Sequence, residues 1–355
     1  MKEMTSHERF KRVFEHGRPD RVPIIDSPWA ATIERWQREG MPKDANFVDY
    51  FGLDHVAGIG ADNSPRYPVT VIEETDEYAI TTTSWGQTVK NWKHAASTPG
   101  VLACTVTDPD TWRDAKARMT PTRDRVDWDH LAAEYPTWRE KGRWIAGGLW
   151  FGFDVAHARL VGTERMLMAM VEEPEWVVDM FNHYLDVNLA LLEMVWEAGY
   201  TFDAVQWPDD MGYKHKQFFS VSMYRELLKP VHKRAIDWAH AKGIYAEMHS
   251  CGDINPLVPE LVEIGLDALN PMEVKAGMDP AALKKTYGDR LVLHGGINAM
   301  LWDDLPAIEA EMRRLVPVLK EGGGYIFSSD HSVPSSVSLA GFRRIVELAK
   351  ELGAY

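Results

Sequence analysis

The chain has 355 residues, of which 45% are hydrophobic and 26% charged, a balance typical of a globular protein with a large buried core. Its net charge of −14 argues against nucleic acids and anionic membranes as partners. The N-terminal residues contain no apolar run, no window reaches the length of a transmembrane span, and two cysteines do not make a disulfide framework. We therefore expect a cytoplasmic protein.

The first part of the chain predicts two strands and an insertion. Thr5 and Glu8 have the spacing of a capping box and predict a first helix. Strands are predicted at residues 22–25 and 54–60, with a helix at about 28–39 between them. Residues 66–107 break this pattern, because 78–85 and 88–92 alternate like the two arms of a β-hairpin. We interpret this stretch as an N-terminal β-hairpin insertion at one end of the fold.

Strands and helices alternate clearly in the second part of the chain. Predicted strands begin near residues 22, 54, 143, 202, 244, 266, 291 and 325, which gives eight in all. The main predicted helices lie at about 173–198, 224–242, 257–264, 280–286, 305–320 and 339–352. Such alternation predicts parallel pairing, and eight units predict an α/β fold, a (β/α)8 TIM barrel formed as one domain over residues 1–355.

One predicted strand, at residues 244–248, carries three groups that bind metals. Side chains alternate along a strand, so Glu247, His249 and Cys251 are expected on one face, near its C-terminal end. A carboxylate, an imidazole and a thiol are ligands of the kind that zinc prefers. The alternative is a buried histidine that bonds to the backbone, beside a cysteine that only fills space. This stretch alone leaves both interpretations open.

Polar side chains also follow the other predicted strands, where the working face of a barrel lies. Each has an ordinary explanation by itself, such as the capping of a helix by Asp209 or Asp210. Their coincidence at strand ends favours a site, and His249, Cys251 and His331 form a possible open three-ligand zinc site. Glu247 is a possible further ligand or a partner that orients one. The groups at strand ends include Asp26, Asp62, Trp150, Asp209, Asp210, Asn270, His294, Asp330 and His331.

Five segments carry a family resemblance, and together they extend over nearly the whole chain. They are Gly17-Arg-Pro-Asp-Arg-Val-Pro23, His249-Ser-Cys-Gly-Asp-Ile254, Asp267-Ala-Leu-Asn-Pro-Met-Glu273, Tyr287-Gly-Asp-Arg-Leu-Val-Leu-His-Gly-Gly-Ile297 and Gly323-Gly-Tyr-Ile-Phe327. In these segments the chain resembles the uroporphyrinogen decarboxylase-like proteins. The resemblance implies their barrel fold, but it says little about the substrate.

Two branches of that family differ in their motifs. True uroporphyrinogen decarboxylases carry a Met-Arg-Gln-Ala-Gly-Arg motif after the first strand, whereas residues 26–33 contain no arginine to hold substrate carboxylates. The branch of zinc methyltransferases that work with corrinoid proteins carries His-x-Cys and a late cysteine. His249-Ser-Cys251 resembles the first part of this pattern, and His331 stands where the late cysteine is expected. The resemblance therefore implies zinc bound by His249, Cys251 and His331.

The resulting hypothesis is a methyltransferase that moves a methyl group between a small substrate and the cobalt of a separate corrinoid protein. The chain has no Asp-x-His-x-x-Gly motif, so cobalamin is expected on that partner. An aryl methyl ether is favoured as methyl donor, with Trp29, Trp150, Trp207 and Asn270 binding it and Asp209 and Asp210 orienting it or protonating the leaving oxygen. Alternatives are transfer in the opposite direction to a thiol, a metal-free carboxy-lyase that uses an aspartate such as Asp62, and a non-catalytic barrel that binds a corrinoid protein.

Overall fold

The computed structural model describes residues 3–94 and 99–355, so residues 95–98 of the predicted insertion lie outside it. No helix among these residues is long and apolar enough to cross a membrane. The strands are β1 (Val56–Ile59), β2 (Val71–Glu74), β3 (Tyr78–Thr82), β4 (Gln87–Trp92), β5 (Gly100–Cys104), β6 (Trp144–Gly148), β7 (Ala204–Pro208), β8 (Gly212–Tyr213), β9 (Lys216–Gln217), β10 (Tyr245–His249), β11 (Ala268–Asn270), β12 (Val292–His294) and β13 (Tyr325–Ile326).

The α-helices are α1 (Ser6–Phe14), α2 (Ala30–Arg38), α3 (Phe47–Phe51), α4 (Pro109–Arg118), α5 (Trp128–Glu140), α6 (Phe153–Val155), α7 (Thr163–Glu172), α8 (Pro174–Glu197), α9 (Val221–Met223), α10 (Lys229–Ala241), α11 (Val258–Glu263), α12 (Pro280–Tyr287), α13 (Leu305–Lys320) and α14 (Leu339–Gly353). Short segments of the π type are Ala156–Val161 and Tyr224–Leu228. Short 3-10 segments are Arg123–Arg125, Val274–Ala276 and Ala299–Leu301.

The centre of the fold is a curled sheet of seven parallel strands, in the order β1-β6-β7-β10-β11-β12-β13. Helices lie between successive strands along the chain, as parallel pairing requires. Strands such as β6 and β12 are buried along most of their length, because side chains fill one face of the sheet and helices cover the other. This architecture agrees with the predicted α/β class.

An extended segment at residues 22–25 lies between the two edges of this sheet. The amide of Phe327, just after β13, donates to the carbonyl of Pro23 at 2.8 Å, and the amide of Ile25 returns a bond to Phe327 at 3.1 Å. On the other side the amide of Asp54, just before β1, donates to the carbonyl of Ile24 at 2.8 Å. The segment therefore occupies the position that the barrel prediction gives to the first strand.

Helix α1 covers the N-terminal end of the sheet. The rings of Phe10 and Phe14 stack on Trp144 with centroids 5.5 and 5.3 Å apart, and Phe14 also stacks on Tyr245 at 4.7 Å. Trp144 and Tyr245 are the first residues of their strands, which places the contact at the start of the sheet. The cluster also includes Val13 of α1 and the strand residues Ala204, Ala268, Val292 and Ile326.

A second sheet follows β1 and consists of β2, β3, β4 and β5 in antiparallel order. Tyr78 pairs with Trp92 and Thr82 with Thr88, at the residues for which the sequence predicts a hairpin. The sheet has two more strands than that prediction, one on each side of the pair. Its interpretation as an insertion stays a prediction.

A buried ion-pair network joins α1 to the place where the segment at residues 22–25 lies between the two edges of the central sheet. Arg9 is 2% exposed, and its guanidinium binds Asp20 at 2.7 Å and Asp54 at 2.5 Å. Asp54 also accepts from Arg21 at 2.7 Å and from the amide of Ile24 at 2.8 Å. Burial raises the pKa of Asp20, but hydrogen bonds from Arg9 and from the amide of Met4 outweigh that effect and hold the pKa at about 2.

Replacing Arg9 by methionine is expected to lower the free energy of unfolding by about 3 kcal/mol, since it leaves carboxylates without their buried partner. Urea denaturation measures this loss. Arg12 lies on the same helix but is exposed, so Arg12→Met is a matched control with an expected change below about 0.5 kcal/mol. Equal losses in the two variants would contradict a special role for the buried network.

Candidate metal and substrate site

The turns after β7 and β10 are tied together by hydrogen bonds. The amide of Asp209 donates to the carbonyl of His249 at 2.8 Å, and the amide of Cys251 donates to Asp210 Oδ1 at 2.7 Å. A third bond joins the amide of Met211 to Ser250 Oγ at 3.1 Å. These bonds fix the two turns relative to each other at the C-terminal end of the sheet.

Asp210, His249 and Cys251 form a compact group of possible metal ligands. Their ligand atoms all lie within 4.8 Å of one another. His249 Nε2 is 3.3 Å from Cys251 Sγ and 3.6 Å from an oxygen of Asp210. An aspartate, a histidine and a cysteine are all established zinc ligands, and three protein ligands leave room for a further molecule. The chemistry of this group therefore fits zinc.

The orientation of His249 is set by Asn270 on the neighbouring strand. His249 Nδ1 lies 2.5 Å from Asn270 Oδ1, while the amide nitrogen of Asn270 donates to the carbonyl of His294 at 3.3 Å. Because a carbonyl oxygen only accepts, Nδ1 must carry the proton. Nε2 is then the nitrogen with a free lone pair, and it faces Cys251 and Asp210. Metal-binding histidines are commonly held in this way through the nitrogen that does not bind the metal.

The electrostatics of the group also suit a cation. Burial is the largest cause that raises the pKa of the Cys251 thiol, and the charges of Asp210 and Glu273 raise it further. Burial is also the largest cause that raises the pKa of Asp154 to about 7, and the charges of Asp210 and Asp209 contribute to the same shift. Several acidic groups therefore crowd one small region, and a bound divalent ion would reverse the effect on the thiol.

A cavity of about 750 Å³ opens beside this group. One wall is apolar and consists of Ile25, Phe47, Val48, Leu53, Val56 and Pro271. The remaining lining residues are polar or acidic and are Asp26, Ser27, Asp54, Gln206, Asp210, His249, Cys251, Asn270, His294, Ser328, Ser329, His331 and Ser332. No arginine or lysine occurs among these lining residues. The cavity therefore suits a ligand with an apolar body and few negative charges.

Two further acidic groups are Asp26, which lines the cavity, and Glu247, which is bonded to the lining residue His294. Glu247 Oε1 lies 2.5 Å from His294 Nδ1, and both side chains are only 7% exposed. Asp26 accepts from the hydroxyl of Ser329 at 2.7 Å and from the Ser329 amide at 3.1 Å. Burial raises the pKa of Asp26 to about 6, although these hydrogen bonds oppose the shift. Near neutral pH, part of the Asp26 population can still donate a proton.

Comparison with known proteins identifies the family. The model described as uroporphyrinogen decarboxylase (URO-D) matches residues 153–352, which is more than half of the chain. The chain belongs to the uroporphyrinogen decarboxylase family. No curated protein matches it.

One solved structure supports this fold. A methyltransferase from Methanosarcina mazei is similar over 98% of this chain and 99% of its own, with a TM-score of 0.67 and 18% identity. A sugar phosphate isomerase/epimerase from Parabacteroides distasonis is similar over 94% and 96% of the two chains, with a TM-score of only 0.36 and 11% identity. The first likeness concerns the fold alone, and the second is too weak to support an argument.

Two of the predicted ligands lie outside the compact group of this URO-D family member. His331 lines the same cavity but does not belong to that group, so its role as a ligand stays a prediction. Its ring lies 6.3 Å from that of Trp29. Glu247 holds His294, and this arrangement gives no support to its possible role as a ligand. Asp210, which the sequence suggests as a catalytic group, is the residue that joins His249 and Cys251.

Asp209, the other predicted catalytic aspartate, points away from the cavity. It is fully buried, binds His232 Nε2 at 2.7 Å and accepts from the amide of Asp154 at 2.7 Å. Tyr224 continues this chain of bonds through its hydroxyl, 3.1 Å from His232 Nδ1. In this arrangement Asp209 supports the turn that carries Asp210, and its role as a catalytic residue stays a prediction without support from the cavity lining.

The predicted substrate contacts of three tryptophans stay predictions that the cavity lining does not support. Trp207 is fully buried in the core and packs against Phe151, because successive strand residues face opposite sides and Gln206 takes the inner side. Trp29 is 45% exposed, and Trp150 packs under the guanidinium of Arg159 at 4.6 Å. None of the three tryptophans is among the described residues that line the cavity. Phe47 is an aromatic side chain that does line it.

Asp62, the aspartate suggested for a carboxy-lyase, is engaged in local structure. It accepts from the amide and hydroxyl of Ser64 at 3.0 and 2.6 Å and from Arg66 at 2.6 Å. It is not among the cavity residues. Gln206 and the pairing of Glu247 with His294, by contrast, are features that sequence reasoning missed. The polar Gln206 between Val205 and Trp207 was the available signal for an inward-facing side chain.

Proposed function

We propose that this member of the uroporphyrinogen decarboxylase family is a zinc-dependent methyltransferase. It would transfer a methyl group from a small aryl methyl ether to the cobalt of a separate corrinoid protein. The observation that supports the proposal most is the compact group of Asp210, His249 and Cys251 beside a half-apolar cavity. Zinc bound there would act as a Lewis acid on the ether oxygen and favour departure of the alkoxide or phenolate.

The residues of the chain have distinct tasks in this proposal. Asn270 keeps the proton on His249 Nδ1, so that Nε2 remains available to the metal. The apolar wall that includes Ile25, Phe47 and Val56 holds the hydrocarbon body of the substrate. The methyl acceptor reaches the substrate through the C-terminal end of the barrel, because α1 covers the other end. Cobalamin arrives on a partner, since the chain has no motif that binds it.

The lining of the cavity separates this function from porphyrinogen decarboxylation. A porphyrinogen with several carboxylates needs cationic side chains, whereas the described lining residues include three histidines but no arginine or lysine. We infer that uroporphyrinogen is not a substrate. The carboxy-lyase alternative also loses its candidate, because Asp62 is bound to Ser64 and Arg66.

The zinc-loaded protein is expected to convert cob(I)alamin and 2-methoxyphenol into methylcobalamin and catechol. Free cobalamin serves as a substitute for the corrinoid partner, and its absorbance spectrum follows the transfer. The same protein stripped of metal with a chelator is the control and should show at least about 100-fold slower transfer, because the leaving oxygen is no longer stabilised. Equal rates with and without metal, or conversion of uroporphyrinogen at enzymatic rates, would contradict the proposal.

A further inference from the structure

A second cavity lies beside α12, apart from the candidate metal site. It has a volume of about 990 Å³, and its walls come from α12, the turn that follows α12 and the end of α13. None of its lining residues also lines the cavity beside the metal group. Any chemistry in this second cavity is therefore independent of the proposed methyl transfer. Its charged lining residues are Asp279, Lys284, Lys285, Asp289 and Glu321.

Lys284 has only a neutral partner in this cavity. Its Nζ donates to the carbonyl of Gly323 at 2.5 Å, and no described carboxylate forms an ion pair with it. The stem of the side chain lies against Gly288, where an added Cβ would come within 2.5 Å of Lys284 Cδ. A protonated amine that is partly removed from water without a counter-ion is costly. The neutral amine is therefore favoured at this position.

The charges that face Lys284 do not cancel this effect. Burial is the largest cause that lowers the pKa of Lys284, to about 8, and the charge of Glu321 opposes the shift. From the turn after α1, burial lowers the pKa of His16, and the charge of Lys284 lowers it further. The other charged groups of the lining are Asp279, Lys285 and Asp289. Near neutral pH, part of the Lys284 population therefore has a free lone pair.

We propose that Lys284 is a modification site whose amine takes an acyl group from a small acyl phosphate in the second cavity. The nitrogen lone pair attacks the acyl carbon, a carbon–nitrogen bond forms, and the bond between that carbon and the phosphate oxygen breaks. Inorganic phosphate leaves and takes up the proton that the nitrogen releases. Lys285 lines the same cavity and is a cation that can attract the phosphate group. The reaction needs no oxidant and no residue of the candidate metal site.

The folded protein can carry the product. An acylated lysine is a neutral amide, so a charge without a counter-ion disappears from a partly buried place. The amide nitrogen keeps one hydrogen and can still donate to the carbonyl of Gly323. Acylation also breaks no ion pair among the described residues, because Lys284 takes part in none.

The test is incubation of the full chain with acetyl phosphate at pH 7.5, followed by cleavage after acidic residues and mass spectrometry. Lys284 and Lys285 then lie on one peptide, residues 280–289, and fragment ions distinguish them. At this pH an amine with a pKa of about 8 is roughly one quarter neutral, whereas an ordinary lysine amine is about one thousandth neutral. Lower basicity and partial burial reduce this advantage, so we expect Lys284 to be acetylated about tenfold faster than Lys285.

The advantage should depend on pH and on the folded structure. At pH 10.5 ordinary lysine amines are also largely neutral, so the ratio of the two rates should fall below about two. In concentrated urea the cavity is lost, and the two lysines should react at equal rates. A ratio near one in the folded protein at pH 7.5, or a tenfold ratio that persists in urea, would overturn the proposal.

Lys350 separates the effect of the cavity from that of burial. Its Nζ also donates to a backbone carbonyl, that of Phe51 at 2.9 Å, and burial also lowers its pKa. It does not line the cavity of Lys284. We expect Lys350 to be acetylated more slowly than Lys284. An equal or higher rate at Lys350 would leave the cavity without a role and refute the proposal.

The variant Lys284→Gln tests whether the fold tolerates the modification. It replaces the amine by a neutral amide, as acylation does, and should keep the far-UV circular dichroism spectrum of the unchanged protein. Acetylation of the peptide that carries both positions should then fall to the rate of Lys285 alone. Loss of the fold in this variant would show that the position cannot hold a neutral amide, and it would refute the proposal as well.

Discussion

Replacing Cys251 by alanine is expected to reduce bound zinc from about one ion per chain to less than about a tenth. The thiol is one of only three ligand groups in the compact site, and its loss leaves Asp210 and His249. Loss of even a supporting partner commonly lowers metal affinity 10- to 100-fold, so removal of a ligand should cost at least about 100-fold. Elemental analysis of protein dialysed against metal-free buffer measures the occupancy, and methyl transfer should fall in parallel.

The chain provides its own control for this variant. Cys104 is the other cysteine and lies in β5, where its sulfur is 3.8 Å from the amide nitrogen of Gln87. Cys104→Ala should keep full zinc occupancy, because that residue is outside the candidate site. A zinc content unchanged in Cys251→Ala would exclude this site as the metal centre. Equal loss in both variants would indicate general unfolding, which far-UV circular dichroism detects.

The second large effect is expected for Asp210→Asn, a variant that tests whether Asp210 or His331 is the third zinc ligand. Asp210→Asn should lower zinc affinity at least about 30-fold, because the carboxylate belongs to the compact group and its charge is lost. An asparagine oxygen can still accept from the amide of Cys251, so the turn should keep its shape. His331→Ala should lower the affinity less than about threefold if His331 only lines the cavity. Competition with a fluorescent zinc chelator gives both constants.

The opposite ranking would support the ligand set that the family resemblance implies. A strong loss in His331→Ala, together with recovery in His331→Cys, would assign the third position to the loop after β13. In that case Asp210 would serve mainly to hold the amide of Cys251. Circular dichroism of each variant separates loss of metal from loss of structure.

The fold was largely predictable because its signals are local. The alternation of strands and helices after residue 143, the capping of α1 by Thr5 and Glu8, and the ends of α13 all depend on neighbouring residues. Helices α3 and α7 were missed. The former has only five residues, and the latter follows directly on the π-helical segment Ala156–Val161. The length of α3 does not distinguish it from a loop, whereas the ten residues of α7 carried a helical signal that was overlooked.

The candidate site was predictable only in part, because it depends on contacts between distant residues. His249 and Cys251 were recognisable from two-residue alternation within one segment. The pairing of Glu247 with His294 spans 47 residues and depends on which strands are neighbours and in what register. Asp209 and Asp210 are adjacent in sequence but face a buried histidine and the cavity, respectively. A sequence shows that two aspartates follow a strand, but not which of them turns inward.

The position of α1 has a kinetic consequence. Its phenylalanines Phe10 and Phe14 pack over the N-terminal end of the central strands, so a methyl acceptor is expected to approach the cavity through an entrance at the opposite end, beside the candidate ligands. A macromolecular acceptor that docks over that entrance blocks the exchange of small molecules. Substrate must then bind before the acceptor, and product must leave after it. An excess of acceptor should consequently inhibit turnover, and this inhibition should be competitive with respect to the small substrate.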